Sequence, residues 1–147
     1  MIAILQRVTS AEVYIDDKKY SAINKGLLIL LGIHKNDTEN DIDYLINKII
    51  KLRIFNDKNN KMNLSILDVN GDVMIVSQFT LLANLKQGMR PSFINSEKPV
   101  LAKKLYNIFI EKLNETNLNI KTGKFGSMMN ISSVNNGPAT FIVDSKN

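Results

Sequence analysis

The sequence predicts an α+β domain in which mostly antiparallel strands carry two packed helices. Three observations point there. Short runs at 2–9, 11–15 and 26–33 either alternate or are apolar throughout, as strands do. Two longer stretches, 39–52 and 99–117, space their apolar residues for one helical face. Turn signals at Asp16-Asp17, Asn70-Gly71 and Gly137-Pro138 separate neighbouring runs.

Taken in order, "IAILQRVT" (2–9) and "AEVYI" (11–15) read as strands, with "DDKK" (16–19) a polar turn before "YSAI". Residues 26–33, "GLLILLGI", form a strand buried on both faces. That run, the longest apolar one, is far too short to cross a bilayer, so no membrane partner is expected. Thr38 and Asp41 have capping-box spacing. Ile42, Leu45, Ile46, Ile49 and Leu52 follow on one face, which predicts a helix over 39–52. "NDKNNK" (56–61) is a polar loop. Asn70-Gly71 lies between "NLSILDV" and "DVMIVSQFTLLA" and predicts a hairpin. Residues 84–98 form a basic loop containing Gly and Pro. Pro99 suits the first turn of a helix over 99–117, whose inner face holds Leu101, Leu105, Ile108, Phe109 and Leu113. Finally "NNGPATF" (135–141) separates "MMNISSV" from "FIVDS", and the two runs read as a strand pair around a Gly-Pro turn.

The 147 residues are read as a single domain, 1–147, with no internal repeat or linker. A chain of this length buries about 68–70% of its unfolded surface, so no staple is needed. There is no cysteine, which excludes disulfides and thiolate metal sites and fits a reducing cytoplasm. The start, "MIAILQRVTSAEV", reads as a strand rather than a signal peptide. A formal charge of +5 suggests a polyanionic partner, RNA being the obvious one, with a solvated lysine surface as the equal alternative on charge alone.

Familiar catalytic groups are missing. His34 is the lone histidine, no His, Cys or carboxylate cluster has metal-site spacing, and no metal or cofactor is expected. A Ser-His-Asp triad would depend on His34 alone, and no Walker or dinucleotide fingerprint occurs. An enzyme built this way relies on binding geometry, backbone dipoles and a group carried by its substrate. The aminoacylated 3′-end of tRNA would suit it, because a ribose hydroxyl lies beside the scissile ester.

"SQFTL" (77–81) closes an apolar strand, and Gly137-Pro138 follows about sixty residues later, with "RPSF" (90–93) and "FGSMM" (125–129) between. With "ILQRVTSAEV", "GLLILLGI", "KIIKLRIF" and "KMNLS", these segments resemble the D-aminoacyl-tRNA deacylase family across essentially the whole chain. The resemblance implies a compact, barrel-like α+β homodimer with active sites at the subunit interface. It implies a cis Gly137–Pro138 bond inserted into the partner's site, and D-aminoacyl-tRNA, in some cases glycyl-tRNA, as substrate. It further implies that the reaction is ester hydrolysis without a cofactor.

An X-Pro bond reaches cis at a cost of about 0.5–1 kcal/mol, and Gly137 has no Cβ. Two successive carbonyl oxygens could therefore face one way and accept from the substrate's α-ammonium. With ammonium and ester fixed, a tight wall where an L side chain would go admits D-amino acids or glycine. "SQFTL" would face the ester. Backbone N–H groups near Phe79 and Thr80 would polarise its carbonyl, and Thr80 would support a water helped by the ribose 2′-hydroxyl. Gln78 would hydrogen-bond ribose or ester, Phe79 would shape the pocket, and Ser77 would tie down the strand end. Phe125 and Met129 are candidates to hold the terminal adenine, with core packing as the alternative. Arg7 resembles the family's arginine that braces the Gly-Pro loop. Lys86, Arg90, Lys121 and Lys124 are candidate phosphate contacts. Two rivals stand beside this reading. One is an RNA-binding module without hydrolysis, which would not need an intact "SQFTL". The other is a related branch that carries trans Gly-Pro and edits L-alanine.

Overall fold

One long strand organises the domain. In the computed structural model, which describes residues 1–86 and 88–146, residues 2–15 do not form two strands. They form a single strand, β1 (Ile2–Ile15), which runs straight through Thr9 and Ser10. Its buried positions are Ala3, Leu5 and Arg7, then Val8, Ala11 and Val13, so the inward phase changes at Arg7–Val8. A turn at Asp16 and Asp17, both with positive φ (48° and 58°), leads into β2 (Lys18–Ile23), antiparallel to the end of β1. The apolar run becomes β3 (Gly26–Gly32), antiparallel to the first half of β1.

Helix α1 (Glu39–Lys51) starts at the capping signal and ends with Leu52 as its cap. The Asp41 carboxylate accepts hydrogen bonds from the Thr38 N–H (2.8 Å) and hydroxyl (3.1 Å). Burial opposes the charge on Asp41, but hydrogen bonds from Lys146, Ser145 and Thr38 outweigh it and hold the carboxyl well below the usual range. The "NDKNNK" segment joins β4 (Phe55–Asn56) to β5 (Met62–Leu64) in a small antiparallel ribbon.

The expected hairpin at Asn70-Gly71 does not form. Asn70 has φ 46° and the Gly71 N–H reaches the Ile66 carbonyl at 3.2 Å, so a turn exists. Its flanks do not pair. Asp68 accepts from both the N–H (2.8 Å) and the hydroxyl (2.7 Å) of Ser65, which folds residues 65–70 into turns instead of a strand. The next strand, β6 (Asp72–Ser77), is buried from Val73 to Val76 and inserts parallel to β3, from Gly26↔Asp72 to Leu31↔Ser77. Helix α2 (Pro99–Asn114) stops short of residue 117, and the Thr116 hydroxyl bonds the Leu113 carbonyl at 2.6 Å. β7 (Ile120–Thr122) then lies parallel to β6. The main sheet is therefore mixed: antiparallel around β1 and parallel across β3, β6 and β7.

The C-terminal segment also departs from the expected strand pair. β8 (Asn130–Asp144) is one strand, antiparallel to β1 over most of its length. The sheet order is β2-β1-β3-β6-β7, with β8 also paired to β1. The Ser21 hydroxyl of β2 donates to the Thr122 carbonyl of β7 at 2.8 Å, so the ends of that path meet in a nearly closed barrel.

Two apolar clusters fill it. One, with Leu5, Ile29, Leu45, Ile75 and Phe109, joins the sheet to the helices. The other, with Val8, Val13, Leu28, Met74 and Val76, occupies the opposite face. The Tyr106 hydroxyl donates to the Ile75 carbonyl at 2.8 Å, which fastens α2 to β6. Among the described residues no helix is long and apolar enough to cross a membrane.

Candidate active site

The "SQFTL" segment sits where β6 leaves the sheet. Ser77 ends β6, and the Gln78 N–H still extends the ladder to the Leu31 carbonyl at 2.8 Å. The chain then turns into a short 3-10 helix, Phe79–Leu82. Gly32 makes room for this turn: a Cβ there would lie 3.1 Å from the Gln78 carbonyl oxygen and 3.3 Å from the Leu81 Cβ. The N–H groups of Phe79 and Thr80 head that helix, where a helical turn offers its first N–H groups no acceptor.

A cavity of about 540 Å³ opens beside the turn, lined by Leu31, Ser77, Gln78, Phe79, Phe93 and Phe125, with Lys35, Glu97 and Lys98 also on its wall. The Phe79 and Phe93 rings meet edge to face at 4.9 Å, yet Phe79 remains 56% exposed. Phe93 is held there by its loop. Asn84 and Ser92 exchange backbone bonds (2.7 and 3.1 Å), and the N–H groups of Lys35 and Glu97 bond Asn95 and Ile33 carbonyls (2.9 and 3.0 Å). Phe125, 5.6 Å from the Tyr106 ring, forms another wall.

The Gln78 amide donates to the Thr80 hydroxyl oxygen. Among the described residues, no carboxylate or imidazole is recorded against that hydroxyl, and no group of three His, Cys, Asp or Glu could hold a metal. Glu97, on the cavity wall, accepts from the Lys98 N–H at 2.7 Å. His34 pairs with Ser96 by a backbone bridge and does not line the cavity.

The Gly-Pro pair is a bulge, not a hairpin turn. Gln6 pairs with Thr140 and Val8 with Asn135, so residues 136–139 loop out opposite Arg7 alone. The Gly137–Pro138 peptide bond is cis, and Gly137 has φ +122°. Both residues are exposed. Beneath them Arg7 is 5% exposed. Its Nε donates to the Asn136 carbonyl (3.1 Å), and its Nη1 donates to the Ile54 carbonyl (2.7 Å) and Asn56 Oδ1 (2.9 Å). Asn135 closes the other side, accepting from the Ala139 N–H (3.0 Å) and donating to the Thr140 hydroxyl (2.9 Å).

Ser77, Gln78, Phe79 and Phe125 thus converge on one cavity, with Thr80 on the turn beside it. Arg7, Gly137 and Pro138 form a separate assembly. From β8 to β6 the path crosses β1 and β3, three strand spacings or roughly 14 Å around the sheet. Neither Gly137 nor Pro138 lines the cavity. Met129 does not line it either; it packs against the Val8–Met74 cluster, and a Cβ on Gly123 would fall 2.8 Å from its sulfur. Lys86, Arg90, Lys121 and Lys124 are exposed. Sequence reasoning missed Lys35, Glu97 and the pocket role of Phe93, although an aromatic in an otherwise polar loop was a usable signal for Phe93. It also missed Ile54 and Asn56, whose contacts with Arg7 are visible only in the fold.

A family model described as D-Tyr-tRNA(Tyr) deacylase matches residues 4–144. A D-aminoacyl-tRNA deacylase of Thermosipho melanesiensis is 52% identical over 147 residues, covering 99% of this chain and 98% of that protein. The deacylase of Aquifex aeolicus is 49% identical over 146 residues, with 99% of each covered. A solved structure titled c-Myc DNA Unwinding Element Binding Protein superposes with a TM-score of 0.92 at 37% identity, covering 98% of both chains. A second, titled as a probable eukaryotic D-amino acid tRNA deacylase, gives 0.83 at 16% identity over 97% of this chain and 98% of its own, and shows the shared fold. With the family model matching residues 4–144 and about half of its residues identical to two deacylases from end to end, the chain belongs to the D-aminoacyl-tRNA deacylase family, ester hydrolases that act on aminoacyl-tRNA.

Proposed function

We propose that two copies of this chain build each active site, and that the partner's Gly137–Pro138 bulge reads the chirality of the amino acid. One observation carries this reading: the bulge is exposed and braced by a buried arginine, yet lies three strands from the cavity of its own chain. A braced but unused main-chain loop fits a second copy's cavity. β8, which bears the bulge, also exposes Val134 (57%) and Ile142 (69%), apolar surface of the kind a subunit would cover.

In the assembled site the 3′-terminal adenine lies against Phe125, and the ester lies at the Ser77–Thr80 turn. Carbonyl oxygens of the partner's bulge accept from the α-ammonium. The side-chain direction of an L-amino acid then runs into main chain, while a D side chain points outward and glycine has none. Water adds to the ester carbonyl, and the N–H groups of Phe79 and Thr80 stabilise the oxyanion. The ribose 2′-hydroxyl relays a proton from the attacking water to the leaving 3′-oxygen. The C–O bond breaks, releasing tRNA and the D-amino acid. No side-chain base is required, which agrees with the surroundings of Thr80.

The test is incubation with D-tyrosyl-, L-tyrosyl- and glycyl-tRNA. D-tyrosyl-tRNA is expected to be cleaved, L-tyrosyl-tRNA to react at least about 100-fold more slowly, and glycyl-tRNA to be attacked. Equal rates for the D and L esters would contradict the reading.

A further inference from the structure

We propose that the groove along the solvent face of α1, formed by Tyr44, Asn47, Lys48, Lys51 and Arg53, binds the phosphodiester backbone of the tRNA acceptor arm on the subunit that lends its Gly-Pro bulge. This rests on the two-subunit site above.

Tyr44, Lys48 and Lys51 follow one another four and three residues apart, with Asn47 three after Tyr44, so one stripe of α1 presents both lysines. Leu52 and Arg53 complete a concave lining of about 540 Å³ that contains no carboxylate. Lys112, on α2, shows the contrast, since Asp43 and Glu39 neutralise it. Among the described residues no ion pair is recorded for Lys48, Lys51 or Arg53. Arg53 is fixed through its Nε, which donates to the Asn63 carbonyl at 2.7 Å, and its charge helps to hold the Asp57 and Asp68 carboxyls low, so the uncompensated cations of the groove are Lys48 and Lys51. Lysines in the last turn of a helix also complement its dipole. That explains Lys48 and Lys51 singly, but not their sharing one groove with Tyr44 and Asn47 and no lining acid.

The position gives the groove its meaning. Arg53 directly precedes Ile54, whose carbonyl holds Arg7 at 2.7 Å, and Arg7 in turn holds the Asn136 carbonyl of the bulge at 3.1 Å. The basic stripe thus runs up to the base of the Gly-Pro bulge. When the bulge enters a partner's cavity, the groove arrives beside the RNA whose 3′-end occupies that cavity. Each chain then contributes chirality reading and backbone contact together, while the other contributes the cavity. Phosphodiesters suit such a groove because lysines act as point charges toward them and need no base identity.

The test compares binding of uncharged tRNA across a salt series to the wild-type dimer, to Lys48→Gln/Lys51→Gln and to Lys103→Gln/Lys104→Gln, which removes the same charge from exposed positions on α2. The groove variant is expected to bind about tenfold more weakly at low salt, with the slope of log K against log salt reduced by about 1.5. The α2 variant should change both far less. Equal effects of the two variants, or no effect of the first, would overturn the groove. Cleavage of D-tyrosyl-tRNA by the same wild-type preparation reads the two-subunit site separately. Steep, groove-dependent binding without cleavage would leave the groove standing while the catalytic reading fell.

Discussion

Gly137→Ala is expected to lower kcat/KM for D-tyrosyl-tRNA by about 100-fold or more while the protein remains folded. Two features of the bulge set that magnitude. Gly137 has φ +122°, a conformation that L side chains rarely adopt. A Cβ there would also stand 2.7 Å from Arg7 Nη2 and 3.2 Å from the Ala139 nitrogen. Arg7 cannot simply retreat, because Nη1 is held by the Ile54 carbonyl and Asn56. The bulge must move, and a displacement near 1 Å in a positioning group suffices for a loss of that size. The strain itself costs about 1–3 kcal/mol, a fraction of the roughly 5–15 kcal/mol that stabilises a domain. Circular dichroism should therefore show native structure with Tm lowered by several degrees. Full activity with undiminished rejection of L-tyrosyl-tRNA would refute the carbonyl clamp.

The second large effect belongs to the substrate. A D-aminoacyl-tRNA ending in 2′-deoxyadenosine, esterified at its 3′-oxygen, should be cleaved about 100- to 10,000-fold more slowly, the range expected when one proton-transferring group is removed. Thr80→Ala should fall by no more than about tenfold on the normal substrate. The asymmetry follows from the surroundings of Thr80. Its hydroxyl is exposed and takes a hydrogen bond from Gln78, a neutral amide that cannot accept its proton in catalysis. The reverse pattern, normal cleavage of the deoxy substrate by an enzyme that Thr80→Ala kills, would make Thr80 the nucleophile.

What the sequence made legible follows from the range over which each signal acts. The cap at Thr38 and Asp41 and the α1 face from Ile42 to Ile49 are local, and both formed where expected. β3 was legible because a short run buried on both faces must be apolar throughout. Asn70-Gly71 also gave a turn, but turn chemistry does not choose the partner strand. Ser65 and Asp68 diverted the preceding segment, and β6 found β3 more than forty residues earlier. The Gly-Pro stretch shows the same limit. Locally it reads as a hairpin turn. Its geometry is instead fixed by Arg7, 129 residues away, which lies inside the bulge and holds its carbonyl. The motif residues at 77–80 were legible through resemblance, and three of the four line the cavity. The aromatic wall from Phe93 depended on loop contacts made by Lys35 and Glu97, which no local pattern encodes.

The central claim is that each cavity is completed by the other chain's bulge, and mixed dimers test it most directly. Gly137→Ala and Phe79→Ala, the second removing the exposed ring that lines the cavity and each expected to be nearly inactive alone, are co-refolded in equal amounts and assayed with D-tyrosyl-tRNA. If a site combines one chain's cavity with its partner's bulge, half of the dimers are mixed and each holds one intact site, restoring about one quarter of wild-type activity. Verified mixed dimers that stay as inactive as the parent variants would contradict the account.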